Sequence, residues 1–126
     1  DAYAKQITVK THVEEELPLD VYVKGTMTGW KVLFDDPSWK LAPSATNKAQ
    51  YEITVALEKN ADLGLAVYES GVTEGYGTWV GKDNLGTSGD KNDKFDVTGN
   101  NIKCTESASY RIVYDSVAST IDFYAA

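Results

Sequence analysis

Side-chain catalysis needs a nucleophile or proton carrier with a partner to activate it, and few residues here meet that condition. His12 is the only histidine and stands on an extended segment without a cysteine or second histidine nearby. A zinc site needs three or four such ligands, and a histidine-activated nucleophile needs an orienting group. Cys104 is the only cysteine, which excludes an internal disulfide. It alternates with Ile102, so it reads as a small buried hydrophobe. Carboxylates are plentiful, and glycoside hydrolysis uses two of them about 5–9.5 Å apart across a cleft. Asp35-Asp36 precedes Pro37 and reads as a turn, while Glu14-Glu15-Glu16 reads as a solvated face or a strand-edge device. Asp90-Lys91-Asn92-Asp93 offers oxygens to calcium but lacks the full ligand spacing and terminal glutamate of a helix-loop-helix site. The glycine-rich stretch from Gly71 to Gly89 carries neither a phosphate-loop lysine pair nor a dinucleotide fingerprint. The expectation is therefore no catalytic residue, no metal and no cofactor: the chain is not an enzyme.

Recognition chemistry is better represented. Trp30, Trp39, Tyr76 and Trp79 all fall at glycine- or proline-bounded places, whereas most aliphatic side chains lie inside alternating segments. An exposed pair of large aromatic rings marks a binding surface. Sugar rings suit such a surface, because their C–H face packs on an aromatic ring and their hydroxyl rim bonds polar neighbours. Lys82, Asp83 and Asn84 follow Trp79 closely enough to serve that rim. Each tryptophan also has a core reading, since tryptophan is highly buried on average. The deciding observation is whether Trp79, Tyr76 and either Trp30 or Trp39 share one exposed face.

The elements that must position these rings are strands. Tyr51-Glu52-Ile53-Thr54-Val55-Ala56-Leu57 alternates cleanly, and Leu63, Leu65 and Val67 alternate again after the polar Glu58-Lys59-Asn60 turn. Further strands are predicted at 5–11, 20–25, 39–41, 94–97, 101–104, 109–114 and 120–124, with a hairpin loop at 115–118 and no convincing helix. Eight or nine strands in 126 residues suggest a single all-β domain, most simply a sandwich. A net charge of −7 repels phosphate backbones and anionic lipid heads, so nucleic-acid binding is not expected. No run approaches the roughly 20 apolar residues of a membrane-spanning helix, so direct membrane insertion is not expected either.

An ordered set of motifs carries a resemblance: Val21-Tyr22-Val23-Lys24-Gly25 with Gly29-Trp30, Tyr51-Glu52-Ile53-Thr54-Val55, Gly77-Thr78-Trp79-Val80-Gly81, and Tyr110-Arg111-Ile112-Val113-Tyr114 with Ser119-Thr120-Ile121. Over roughly residues 19–124 the sequence resembles the starch-binding β-sandwich modules of gut bacterial surface proteins, including the repeated domains of outer-membrane starch-binding lipoproteins. That resemblance implies an immunoglobulin-like antiparallel β-sandwich and non-catalytic binding of starch or α-1,4-linked malto-oligosaccharides. It also implies extracellular display at the cell surface beside amylases, within a larger multimodular protein. Trp79 and Trp30 match the family's aromatic positions, and Lys82 and Asn84 are nearest to its polar ones. In one respect the sequence departs: where the family often carries a Phe-Lys pair, this chain has Leu63-Gly64-Leu65-Ala66-Val67-Tyr68. The competing expectation is a protein–protein or cell-surface structural module on the same scaffold.

Overall fold

The computed structural model describes residues 19–126. His12, the Glu14-Glu15-Glu16 run and the strand predicted at 5–11 lie outside the described residues. Among the described residues nine strands follow in order: β1 (Leu19–Gly25), β2 (Lys40–Pro43), β3 (Gln50–Leu57), β4 (Asp62–Glu69), β5 (Thr78–Val80), β6 (Phe95–Asp96), β7 (Ile102–Cys104), β8 (Ala108–Asp115) and β9 (Thr120–Ala125). The only helical pieces among these residues are single 3₁₀ turns, as at Thr26–Thr28, Pro37–Trp39, Lys82–Asn84 and Asn92–Lys94. Eight of the strands lie within a few residues of their predicted positions. The exception is β5, hidden in the glycine-rich stretch because three residues between glycines give too short an alternation to detect.

All strand pairs are antiparallel, in the order β6-β7-β4-β1-β2-β3-β8-β9, with β5 also paired to β4. The sheet curls strongly at β2. Leu41 and Lys40 pair with Val21 and Tyr22 of β1, whereas Ala42 and Pro43 pair with Glu52 and Tyr51 of β3. This change of partner turns the β3-β8-β9 portion towards the β1-β4 portion, and one core fills the space between them. Val21, Val23, Leu63, Leu65 and Val67 enter it from one side, and Tyr51, Val55, Leu57, Ile112, Tyr114, Ile121 and Phe123 from the other. Cys104 is fully buried in the same core.

The free edge of β9 is covered by the chain between residues 85 and 92. Gly86 N–H and Lys91 N–H donate to Ile121 and Phe123 carbonyls, each at 2.9 Å. Asn92 Oδ1 accepts from Phe123 N–H at 2.7 Å, and Asp90 Oδ1 accepts from Ala125 N–H at 3.1 Å. The oxygens considered for calcium thus include two that tie this cover to the strand. Asp122, only 8% exposed, completes the clamp. Its Oδ1 accepts from Ser88 N–H and Gly89 N–H at 3.0 Å and from Asn92 Nδ2 at 2.8 Å. Covering a sheet edge in this way removes a template for unwanted strand addition.

Candidate functional site

Strand β4 is buried on both faces. Leu63, Leu65 and Val67 point into the core, and Gly64, Ala66 and Tyr68 point outwards, where a sheet face would ordinarily meet water. What covers that outer face is aromatic. Tyr22 and Tyr68 form a small cluster with Ala66, completed by Val32 and Phe34 from the loop between β1 and β2. The three rings meet edge-to-face: Phe34 lies 5.2 Å from both Tyr22 and Tyr68, which are 5.8 Å apart. Such geometry suits the ring quadrupoles and contributes about 0.5–1.5 kcal/mol per pair beyond area burial. Burial holds both tyrosine hydroxyls above their ordinary pKa, so they remain neutral donors at physiological pH.

This cluster positions two loops. Phe34 fastens the loop that carries Trp30. The Tyr68 hydroxyl donates to Gly75 O at 2.7 Å and so holds the loop that carries Tyr76. That second loop needs Gly77 at φ 64°, because a Cβ there would come within 2.7 Å of Val67 O and 2.9 Å of the Tyr68 ring.

Trp79 lies on β5 opposite Ala66. Its six-membered ring occupies the space of the side chain Gly64 lacks, and its Nε1 edge lies against Gly81. A Cβ at either glycine would collide with the indole. The ring is thus seated on backbone, and it remains 42% exposed. Trp30 stands beside it at 39% exposure, with ring centroids 6.4 Å apart and planes inclined by 49°. Its backbone is left-handed, φ 60°, directly after Gly29 at φ 68°. A bulky residue is rarely found there, and the conformation costs roughly 1–2 kcal/mol. Three hydrogen bonds enforce the turn: Trp30 N–H to Gly25 O (2.9 Å), Gly29 N–H to Thr26 O (3.3 Å) and Gly25 N–H to Thr28 Oγ1 (3.1 Å). Tyr76 is 86% exposed, and Lys24 Nζ sits 5.7 Å from its ring centroid.

Trp30 and Trp79 therefore adjoin at one exposed face, which Tyr76 reaches through Lys24, the partner of Gly64 beneath the Trp79 ring, and the other sequence candidates lie elsewhere or are already engaged. Trp39 closes the 3₁₀ turn before β2, whereas its neighbour Lys40 reaches over Tyr22 on the outer face. Trp39 packs half-buried against the core and borders a separate cleft of about 520 Å³ with Met27, Leu57 and Ala61. Asn84 accepts from Gly81 N–H at 3.1 Å and donates to Ser119 O at 2.9 Å, so its amide clamps the turn after β5 to the β8–β9 hairpin. Lys82 and Asp83 pair with each other at 3.2 Å. Lys24, which the sequence did not put among the candidates, lies beside these rings. Its alternation with Val21 and Val23 could have placed it on the face opposite the core, but not beside the aromatic rings, which arrive from distant loops.

No family model, curated protein sequence or solved structure matches this chain.

Proposed function

We propose that this protein binds starch or α-1,4-linked malto-oligosaccharides without cleaving them, through the face formed by Trp30, Trp79 and Tyr76. The observation that carries this reading is the 49° inclination between two adjacent exposed indoles. A flat β-glucan prefers coplanar rings, whereas a curved α-glucan turns successive glucose faces and fits inclined ones. The strained backbone of Trp30 gives independent support, since strain of this kind concentrates at binding and catalytic positions. Neither indole N–H nor the Tyr76 hydroxyl has a hydrogen-bond acceptor among the described residues, so all three are free to meet sugar hydroxyls.

We further propose that the fold is an immunoglobulin-like antiparallel β-sandwich. The partner change at β2 divides the curled sheet into a β1-β4 portion and a β3-β8-β9 portion, as an immunoglobulin-like sandwich requires. The resemblance to starch-binding modules supports display outside the cell, within a larger surface protein. The acidic net charge argues against nucleic acid as the ligand.

Calorimetric titration with maltoheptaose, using cellohexaose as the control, tests the function. Saturable heat with the α-glucan and none with the β-glucan is expected. Silence towards maltoheptaose would sink the proposal and favour a protein partner for the same aromatic face.

A further inference from the structure

We propose that Lys24 is the polar recognition residue of the aromatic face, its ammonium donating hydrogen bonds to hydroxyl oxygens of the sugar ring seated on Trp79. This deepens the sugar-binding reading and rests on it.

Register brings the two side chains together. Lys24 pairs directly with Gly64, and the Trp79 ring lies over Gly64. The lysine stem and the indole thus occupy adjacent places on one face, with Tyr76 close to the ammonium on its other side. A stacked sugar bonds the protein in its ring plane, at the edge of the indole, and a flexible four-carbon stem from β1 reaches that edge.

Its place against the aromatic face, together with its lack of an ion pair, sets this lysine apart. Acidic residues outnumber lysine and arginine 19 to 12, yet Lys24 has no carboxylate partner among the described residues. Lys40 and Lys82 are committed, to Asp20 at 3.4 Å and to Asp83 at 3.2 Å, while Lys31, next to Trp30 in sequence, is also without an ion pair among the described residues but is exposed. The amide of Asn84 is held by backbone groups on both sides. Lys24 is half-buried, and its ammonium meets only a π face at 5.7 Å, which uses none of its three N–H donors in an ordinary hydrogen bond. A donor-only group so placed suits a ligand with adjacent acceptor oxygens, and a pair of neighbouring sugar hydroxyls is such a group.

The test is maltoheptaose calorimetry on the wild-type protein, Lys24→Met, Lys24→Arg and Trp79→Ala, with Lys24→Met repeated in a Tyr76→Ala background. Methionine keeps an apolar stem and removes the donors, so binding should weaken roughly tenfold to a hundredfold, the range for a charge-assisted hydrogen bond. Arginine should recover part of that loss. The melting temperature of Lys24→Met should hold, because no ion pair is broken. In the Tyr76→Ala background the same fold-loss should persist, as expected of a lysine that touches the ligand itself. Wild-type affinity in Lys24→Met, with binding lost in Trp79→Ala, would overturn this inference and leave the sugar-binding reading standing. A loss that disappears in the Tyr76→Ala background would also overturn it, because Lys24 would then act only by placing Tyr76. A wild-type protein that does not bind maltoheptaose would overturn both.

Discussion

Trp79→Ala is expected to weaken α-glucan binding by about 2 kcal/mol or more, roughly thirtyfold, while the fold survives nearly intact. Both halves of that expectation follow from how the ring is seated. The indole rests on the backbone at Gly64 and Gly81 and keeps 42% of its surface exposed. Its truncation opens no sealed cavity, so it should cost well under the about 3–5 kcal/mol of a fully buried tryptophan. The ligand, by contrast, loses the larger part of its stacking surface, since Trp30 alone cannot present two inclined planes. Thermal melting and maltoheptaose titration on the same variant separate the two effects. Retained affinity with a collapsed melt would show that Trp79 is core and that the binding face lies elsewhere.

Asp122→Ala should produce the opposite pattern. The carboxylate is 8% exposed and one oxygen serves three N–H donors from Ser88, Gly89 and Asn92. Alanine leaves those donors without their acceptor and loosens the cover over β9. Charge-assisted bonds to a buried carboxylate are among the stronger hydrogen bonds, and a loss of about 3 kcal/mol is expected. For a domain of this size the melting temperature should then fall by about 10 °C or more. Binding measured well below that melt should be unchanged, because Asp122 and the aromatic face lie on opposite sides of the core. A normal melt would mean that the cover over β9 is held by its backbone bonds alone. Together the two variants distinguish ligand contact from fold stability.

Alternation made most of the strands legible, because burial on one face leaves a period of two in the sequence. Strand β3 shows this well, with Tyr51, Val55 and Leu57 buried and Thr54 and Ala56 exposed between them. Strand β4 was legible as a strand but not as one buried on both faces. Gly64 and Ala66 read as weak, neutral positions, yet their small size makes room for Trp79 and the Phe34 cluster. Glycine-bounded contexts put Trp30, Tyr76 and Trp79 among the candidates. They could not separate these rings from Trp39, because facing depends on the bend at β2 and on where two loops land. Nor could local sequence show that Asn84 is spent on a turn while Lys24 has no ion pair among the described residues, since both depend on which distant groups come near.

The most direct measurement of the central claim is an NMR titration following the three tryptophan indole N–H signals as maltoheptaose is added. Trp30 and Trp79 should shift together and saturate with the calorimetric affinity, while Trp39, packed inwards beside a different cleft, should stay in place. Movement of Trp39 with Trp30 and Trp79 unchanged would contradict the assignment of the binding face.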